Sequence, residues 1–467
     1  MTEQHYDLVV IGAGPAGGAA ATAAAAPGRR VALIERDKLG GTCLNYGCDP
    51  TKTLLHTAQL LYQASQSAER GLRIPHAAAD WPAVQAHVRR VLKQMRGGSE
   101  AAERRQRRRD GVEVLSGAAR FVDPHTLRLG RHRLRADRII IATGSQAVVP
   151  PIDGLERAGY LTNREAVALK ELPRRLAIIG GGPIGVEFAQ LFGRFGVKVT
   201  LLEQGPALLP KDDRELADQL AALLAAEGVH VETEAELLEV HRERAGRCLI
   251  FRRRGRTRQE LQVDAVLVAV GFRPAIDSLN LPAAGVSVSD GAVRVDATLR
   301  TSVPHIWAAG DVTGGYPFTH VAFAQGQLVA RNAFASRAEP FDDQAIPWVT
   351  YTSPELAHIG QTEEQLRQAG TPYRVGRKPL AEVERAVATG ATAGQIKLLV
   401  GDDGRLLGGH ILAAGAGELI APLALAMRAG LPVDMLANTI LPYPTMAEGL
   451  RWAAEAVPER ERERAVA

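Results

Sequence analysis

Short apolar runs, each closed by glycine, recur along the chain. Asp7-Leu-Val-Val-Ile-Gly12 is the first, and Arg30-Val-Ala-Leu-Ile-Glu35 follows it. Runs of four or five apolar residues between turn residues read as strands buried on both faces. Between them, Gly12-Ala-Gly14-Pro-Ala-Gly17 leads into an alanine-rich stretch that reads as a helix. The same order returns at Leu176-Ala-Ile-Ile-Gly180-Gly-Gly182-Pro-Ile-Gly185 and ends in Lys198-Val-Thr-Leu-Leu-Glu203. In both copies an acid lies 23 residues after the first glycine. Further buried strands are expected at Arg138-Ile-Ile-Ile-Ala-Thr143-Gly144, at Asp264-Ala-Val-Leu-Val-Ala-Val-Gly271 and at His305-Ile-Trp-Ala-Ala-Gly310-Asp311. The last part of the chain reads differently. Gln395–Val400 and Leu407–Leu412, separated by Gly-Asp-Asp-Gly, predict a hairpin, and Gly417–Met427 a helix after it.

Two strand–glycine turn–helix–strand–acid repeats predict two dinucleotide sites. The first glycine permits the tight turn, the second lets backbone approach a pyrophosphate, and the third lets helix pack on strand. These are Gly12, Gly14 and Gly17 in the first copy, and Gly180, Gly182 and Gly185 in the second. Glu35 and Glu203 are placed to accept hydrogen bonds from a ribose. Thr143, Gly144, Gly271 and Asp311 sit at the carboxyl ends of predicted strands, where ligands of such sheets bind. No arginine follows Glu203 in Gln-Gly-Pro-Ala-Leu-Leu-Pro. A carboxylate there favours the free ribose hydroxyl of NADH over the 2′-phosphate of NADPH.

Composition narrows the class. With 467 residues, 46% hydrophobic and 23% charged, the chain fits a globular protein of two to four domains. A formal charge of +4 is small for this length and does not point to nucleic acid. Arg104–Arg109 is the densest basic run; acids flank it, so it is expected to be a solvated helix end. Leu8–Pro27 carries no charge for twenty residues, enough to span a bilayer, but its glycines favour strand, turn and helix. The N-terminus lacks the flanks of a secretion signal, so a cytoplasmic protein is expected. The final ERERERAVA reads as a frayed helix end.

Three cysteines cannot build a disulfide framework. Cys248 reads as a buried strand residue. Cys43 and Cys48, with four residues between them in Gly40-Gly-Thr42-Cys43-Leu-Asn-Tyr-Gly-Cys48-Asp-Pro-Thr-Lys52, suit a redox pair better than a metal site, since no further ligand cluster accompanies them. Pro50 and the residues after it favour a helix start, whose positive end lowers a thiol pKa. Lys52 stands one helical turn past Cys48 and favours an anionic partner.

With these motifs in order, and with Gly-Gly-Gly-Pro-Ile-Gly-Val-Glu187, Val-Gly271-Phe-Arg-Pro and Ala-Ala-Gly-Asp311-Val, the chain resembles the FAD-dependent pyridine nucleotide–disulfide oxidoreductases. These include dihydrolipoamide dehydrogenase, glutathione reductase and mercuric reductase. The resemblance covers essentially the whole chain. It implies an α/β fold of two Rossmann-like dinucleotide-binding domains plus a C-terminal α+β dimerisation domain. The FAD-binding domain would comprise residues 1–150 and 270–345, the NAD(P)-binding domain 151–269, and the interface domain 346–467. FAD would lie on the first repeat, with Gly12, Gly14, Gly17, Glu35, Thr42, Thr143, Gly144 and Asp311. The nicotinamide dinucleotide would lie on the second, with Gly180, Gly182, Gly185, Glu203 and Gly271. Cys48 matches the thiol nearest the flavin, Cys43 the interchange thiol, Lys52 the lysine beside the flavin and Glu187 its ion-pair partner. A homodimer is implied, each active site drawing on both chains.

The family's disulfide reductases carry a His-Pro-Thr motif with a glutamate five residues after the histidine. Here the segment reads Leu441-Pro-Tyr443-Pro-Thr-Met-Ala-Glu448, so Pro444, Thr445 and Glu448 match and the histidine is Tyr443. A positioned acid/base contributes about 10²–10⁴-fold when its pKa lies near the working pH. Histidine at about 6.5 meets that condition and tyrosine at about 10 does not. Mercuric reductases resemble this chain in a tyrosine within a Pro-Tyr and Thr-Met-x-Glu-Gly-Leu context. They also carry a C-terminal cysteine pair and an N-terminal metal-binding module, neither of which this sequence contains. Asp49 departs from the family as well, standing where an apolar residue is usual; it can raise a neighbouring thiol pKa or draw a cation. The expected activity passes electrons from NADH through FAD to a Cys43–Cys48 disulfide and on to a small-molecule disulfide or thiophilic metal ion. Two alternatives stay open: a mercuric or other metal-ion reductase, and a diaphorase feeding quinones or oxygen with the cysteines secondary. No resident metal, nucleic acid or membrane partner is expected.

Overall fold

The computed structural model describes residues 3–75, 77–244, 246–253 and 257–458. The ERERERAVA tail lies outside them.

The apolar runs form two parallel-stranded sheets. In the first, β1 (Glu3–Ile11) pairs in parallel with β2 (Val31–Glu35), and β2 with β3 (Val112–Ser116). On its other side β1 pairs with β6 (His132–Ile141). The carboxyl half of β6 pairs in parallel with Ile306–Ala308, while its amino half continues antiparallel into β5 (Thr126–Leu129) and β4 (Ala119–Asp123). Val9, Val10, Leu33, Ile139, Ile140 and Ile141 are fully buried, as strands covered on both faces require. The uncharged Leu8–Pro27 stretch resolves into β1, the glycine turn and the helix α1 (Pro15–Ala24). Among the described residues no helix is long and apolar enough to cross a membrane. The second sheet repeats the plan in four parallel strands, ordered His230–Glu232, Lys198–Leu202, Arg175–Ile179, Ala265–Val268. A three-stranded antiparallel meander follows its outer strand, and Cys248 is buried in the middle strand of that meander.

The third sheet is antiparallel throughout, ordered Trp348–Thr350, Glu355–Gly360, Leu406–Ala413, Gln395–Val400, Arg374–Pro379. Its two central strands are the expected hairpin, and the helix behind it runs Ala416–Arg428 with Pro422 inside. A buried polar knot ties this sheet to the second unit. Lys397, 1% exposed, reaches Asp213 at 3.0 Å, Glu215 at 2.9 Å and Glu363 at 2.5 Å. Beside it Trp348 Nε1 donates to Asp212 Oδ1 at 2.9 Å, and the His358 ring stacks on Trp348 with centroids 3.7 Å apart.

The basic run closes the Glu100–Arg109 helix with Arg105, Arg108 and Arg109 exposed, as expected. Arg107 is half-buried, its Nη1 donating to Gly18 O and to Thr22 Oγ1 on α1.

Candidate active site

Both glycine turns deliver uncapped helix ends. Gly14 and Gly182 occupy the N-cap positions of α1 and of the Pro183–Arg194 helix; neither helix has a side-chain cap or an acid in its first turn. Their free N–H groups and positive ends are therefore left for an anion. The three glycines of each turn differ in what surrounds them. A Cβ on Gly12 would stand 2.3 Å from Ala142 O, and one on Gly17 1.8 Å from Gly12 O. A Cβ on Gly14 would meet nothing nearer than Gly41 Cα at 3.9 Å, and one on Gly182 nothing within 4 Å. The outer glycines are thus needed for packing and the middle one faces open space, as close approach of a pyrophosphate demands.

The two acids do more than was expected of them. Glu35 accepts from Ala13 N and Asp37 N, each at 2.8 Å, and Glu203 accepts from Gly181 N at 2.6 Å and Gly205 N at 2.5 Å. Each carboxylate pins its own glycine turn, and its remaining lone pairs are left for a ribose. Nearby, Thr143 Oγ1 is buried without a partner, and Asp311 Oδ2 accepts from Ser145 Oγ at 2.6 Å. Burial pushes the Asp311 carboxyl above its ordinary range. An orphan hydroxyl and a desolvated carboxylate beside an uncapped helix fit a polar, diphosphate-bearing cofactor such as FAD. Gly144 and Gly271 flank the short pairing of Ser145–Ala147 with Phe272–Pro274, and Thr42 is exposed on the next helix.

That helix, α2 (Gly41–Tyr46), carries Cys43; α3 (Cys48–Ser65) begins at Cys48 itself, with Gly47 between them. The helix start thus falls two residues before Pro50. Both cysteines are free thiols. They differ in surroundings. Cys43 lines a cavity of about 620 Å³ that runs from Gly14 past Gly18 and Thr22 to Asp49, Met95, Arg107 and Phe323. Cys48 does not line it; its Sγ lies 3.5 Å from Oγ1 of the exposed Thr319. A hydrogen bond from Cys43 and the nearby Lys52 charge hold the Cys48 thiol below its ordinary range, against burial. The same hydrogen bond, together with burial, pushes Cys43 up.

Lys52, one turn along α3, pairs with Glu187 from the second glycine-turn helix at 3.0 and 2.8 Å. Glu187 also accepts from Tyr351 N at 2.9 Å, and the Tyr351 ring lies 4.7 Å from Lys52 Nζ. Burial would lower the Lys52 pKa, but Glu187 and Cys48 more than offset it and the net shift is upward. The pair joins all three parts of the molecule at one point.

Within one chain Tyr443 and Glu448 are not brought to the cysteines. Glu448, buried, opens the Glu448–Glu455 helix and accepts from Thr445 N at 3.1 Å; that helix packs on the third sheet. Tyr443 is 72% exposed. The sequence reading missed Thr319, Met95 and Phe323 and gave Tyr351, Ser145 and Arg107 no role in the site. Thr319, Met95 and Phe323 reach it from elements remote in sequence, so no local pattern marks them.

A family model described as pyridine nucleotide-disulphide oxidoreductase matches residues 6–326, and its dimerisation domain matches 346–454. The chain belongs to this family. It is an FAD-dependent oxidoreductase that moves electrons from a pyridine nucleotide through FAD to a disulfide. Mercuric reductase of Streptomyces lividans is 39% identical over 97% of this chain and 97% of its own length. Dihydrolipoyl dehydrogenase of Thermus scotoductus is 38% identical, again covering 97% of both. Among solved structures, the Cu(II) complex of the HOCl-induced flavoprotein disulfide reductase RclA from Escherichia coli superposes with a TM-score of 0.87 at 34% identity, over 98% of this chain and 100% of that one.

Proposed function

We propose that the enzyme oxidises NADH and delivers the electrons through Cys43 and Cys48 to a thiophilic metal ion. One observation carries this reading: the two thiols are unlike, Cys43 lining the cavity while Cys48 does not line it and lies beside Thr319 and within reach of the Lys52 charge. The hydrogen bond from Cys43 and the Lys52 charge favour the thiolate of Cys48. Cys43 meets the acceptor. Glu203 and the absence of arginine after it favour NADH. Tyr443 in place of a histidine decides between acceptor classes. Reduction of a disulfide needs a proton delivered to the leaving thiol, for which a tyrosine is poorly matched. A thiophilic cation displaces the thiol proton itself and needs no such donor.

The electrons balance. One NADH supplies two electrons and releases one proton; a mercuric ion takes both, or two cupric ions take one each. Similarity to a mercuric reductase over the full length supports this choice. In a homodimer built on residues 346–454, Tyr443 of the partner subunit would close the cavity over Cys43. A cytoplasmic location, where thiols stay reduced, suits a pair that must cycle.

Anaerobic titration with NADH tests the relay. Wild-type holoenzyme should develop a long-wavelength thiolate–flavin absorbance, and Cys48→Ser should not. Cys43→Ser should lower turnover with cupric or mercuric ion by more than about 10²-fold. Unchanged turnover in both variants would instead make the protein a diaphorase.

A further inference from the structure

Asp49 stands in the first turn of α3, one residue after Cys48, and lines the same cavity as Cys43. Apart from Cys43, the ionisable side chains lining that cavity are Asp49 and Arg107. They are not equivalent. The Arg107 guanidinium lies 3.5 Å from Glu103 on its own helix and donates to Gly18 O at 3.4 Å and Thr22 Oγ1 at 3.2 Å. Glu103 is shared with Arg96 at 3.6 Å, so the Arg107 charge is only partly offset, but its geometry is committed to α1. Among the described residues the Asp49 carboxylate has no hydrogen-bond or ion-pair partner; only its backbone carbonyl is used, by Thr53 Oγ1. The nearest cation along α3, Lys52, is bound at both carboxylate oxygens of Glu187. Among the described residues, Asp49 is therefore the charge acting on Cys43 that no hydrogen bond or ion pair engages.

A half-buried carboxylate next to a cavity of this size acts at reduced dielectric, where a unit charge a few ångströms away is felt far more strongly than in water. Its field already reaches the thiol. Hydrogen bonding to Cys48 and burial are the larger causes that hold Cys43 up, and the Asp49 charge adds to them. A disulfide bearing carboxylates brings negative charge to a site that repels it, whereas a metal cation is drawn in.

We propose that Asp49 is the specificity-determining residue of this cavity, admitting cationic acceptors to Cys43 and turning away anionic ones. The assignment rests on the functional reading above, which makes Cys43 the thiol that meets the acceptor.

The test reads charge selectivity without turnover. Full-length holoenzyme, wild type or Asp49→Asn at position 49 and in both cases Cys48→Ser so that no neighbouring thiolate resolves the mixed disulfide, is reduced with dithiothreitol, freed of it, and treated with methanethiosulfonates carrying positive, zero or negative charge. The Cys43 thiolate attacks the reagent sulfur, a mixed disulfide forms and methanesulfinate leaves; the rate at Cys43 is followed by peptide mass. The neutral reagent corrects for any change in thiolate fraction. With Asp49 in place the cationic reagent should outpace the anionic one by about 10-fold or more at low salt, and the ratio should shrink as salt rises. Asp49→Asn should lower the ratio by about 3- to 10-fold, and Asp49→Glu should keep most of it. An unchanged ratio in Asp49→Asn overturns the proposal, as does an equal change for all three reagents, which marks a merely structural role. Failure of NADH to reduce the cysteine pair would sink the functional reading, and it is seen separately from loss of the charge ratio.

Discussion

At the scale of single residues, the site depends on charges placed to oppose one another. Glu187 has a side chain only 5% exposed, and its charge is tolerable because Lys52 and Tyr351 N both meet it. Replacing Lys52 by methionine leaves a buried carboxylate without its cation, which costs about 3 kcal/mol. The same change removes the positive charge that helps hold the Cys48 thiol low. Lys52→Met should therefore shift the first thiol titration of the reduced enzyme upward by about one pH unit or more, as followed by ultraviolet thiolate absorbance. Urea denaturation of the same variant should show the loss of stability. A titration left in place would mean that the hydrogen bond from Cys43 alone holds Cys48 low.

At the scale of elements, the junction between the second unit and the antiparallel sheet carries a pH dependence of definite sign. Burial, with a smaller push from Asp213, raises the Asp212 carboxyl to about 7 despite the hydrogen bond from Trp348. The folded pKa lies above the unfolded one, so the folded state favours the protonated acid. Stability from this group is intact below about pH 4 and is lost as pH rises toward 7. Asp212→Asn, which can still accept from Trp348 Nε1, removes that loss. It should raise the melting temperature at pH 8, by an amount corresponding to on the order of 1–3 kcal/mol, with the gain vanishing near pH 4. His410 works the other way. Burial lowers it to about 3, so it folds neutral, and its contribution is lost as pH falls from about 6.5 toward 3. Scanning calorimetry of wild type and Asp212→Asn across pH 4–8 separates the two.

At the scale of the whole molecule, the most exposed large apolar side chains among the described residues, Ile440, Tyr443 and Leu425, all lie on the last sixth of the chain. Leu425, Met435, Ile440 and Tyr443 are 67%, 54%, 93% and 72% exposed. A cluster of this kind on the dimerisation domain fits a face covered by a second copy. Leu425→Glu should shift the protein toward monomer in sedimentation velocity. Because Tyr443 and Glu448 do not reach the cysteines within one chain, metal-ion turnover should fall in step with the dimer fraction.

Much of this was legible in the sequence for local reasons. Two glycine turns at matching spacing from a terminal acid announce two dinucleotide folds, because strand, turn and helix each obey short-range rules of periodicity and sterics. The Cys43–Cys48 spacing and the tyrosine at position 443 could be read in the same way. The fates of individual side chains could not. Arg107 reads as solvated and instead reaches Gly18 and Thr22 on a helix 85 residues earlier in the chain. Thr319 meets Cys48 across 271 residues, while the Lys52–Glu187 pair, 135 residues apart, was expected only through the family resemblance and from no local pattern. Which thiol opens onto the cavity, and whether Asp49 finds a partner there, was decided only by tertiary structure. The charge balance and desolvation that govern such groups are sums over neighbours brought in from remote elements, and no local pattern contains that sum.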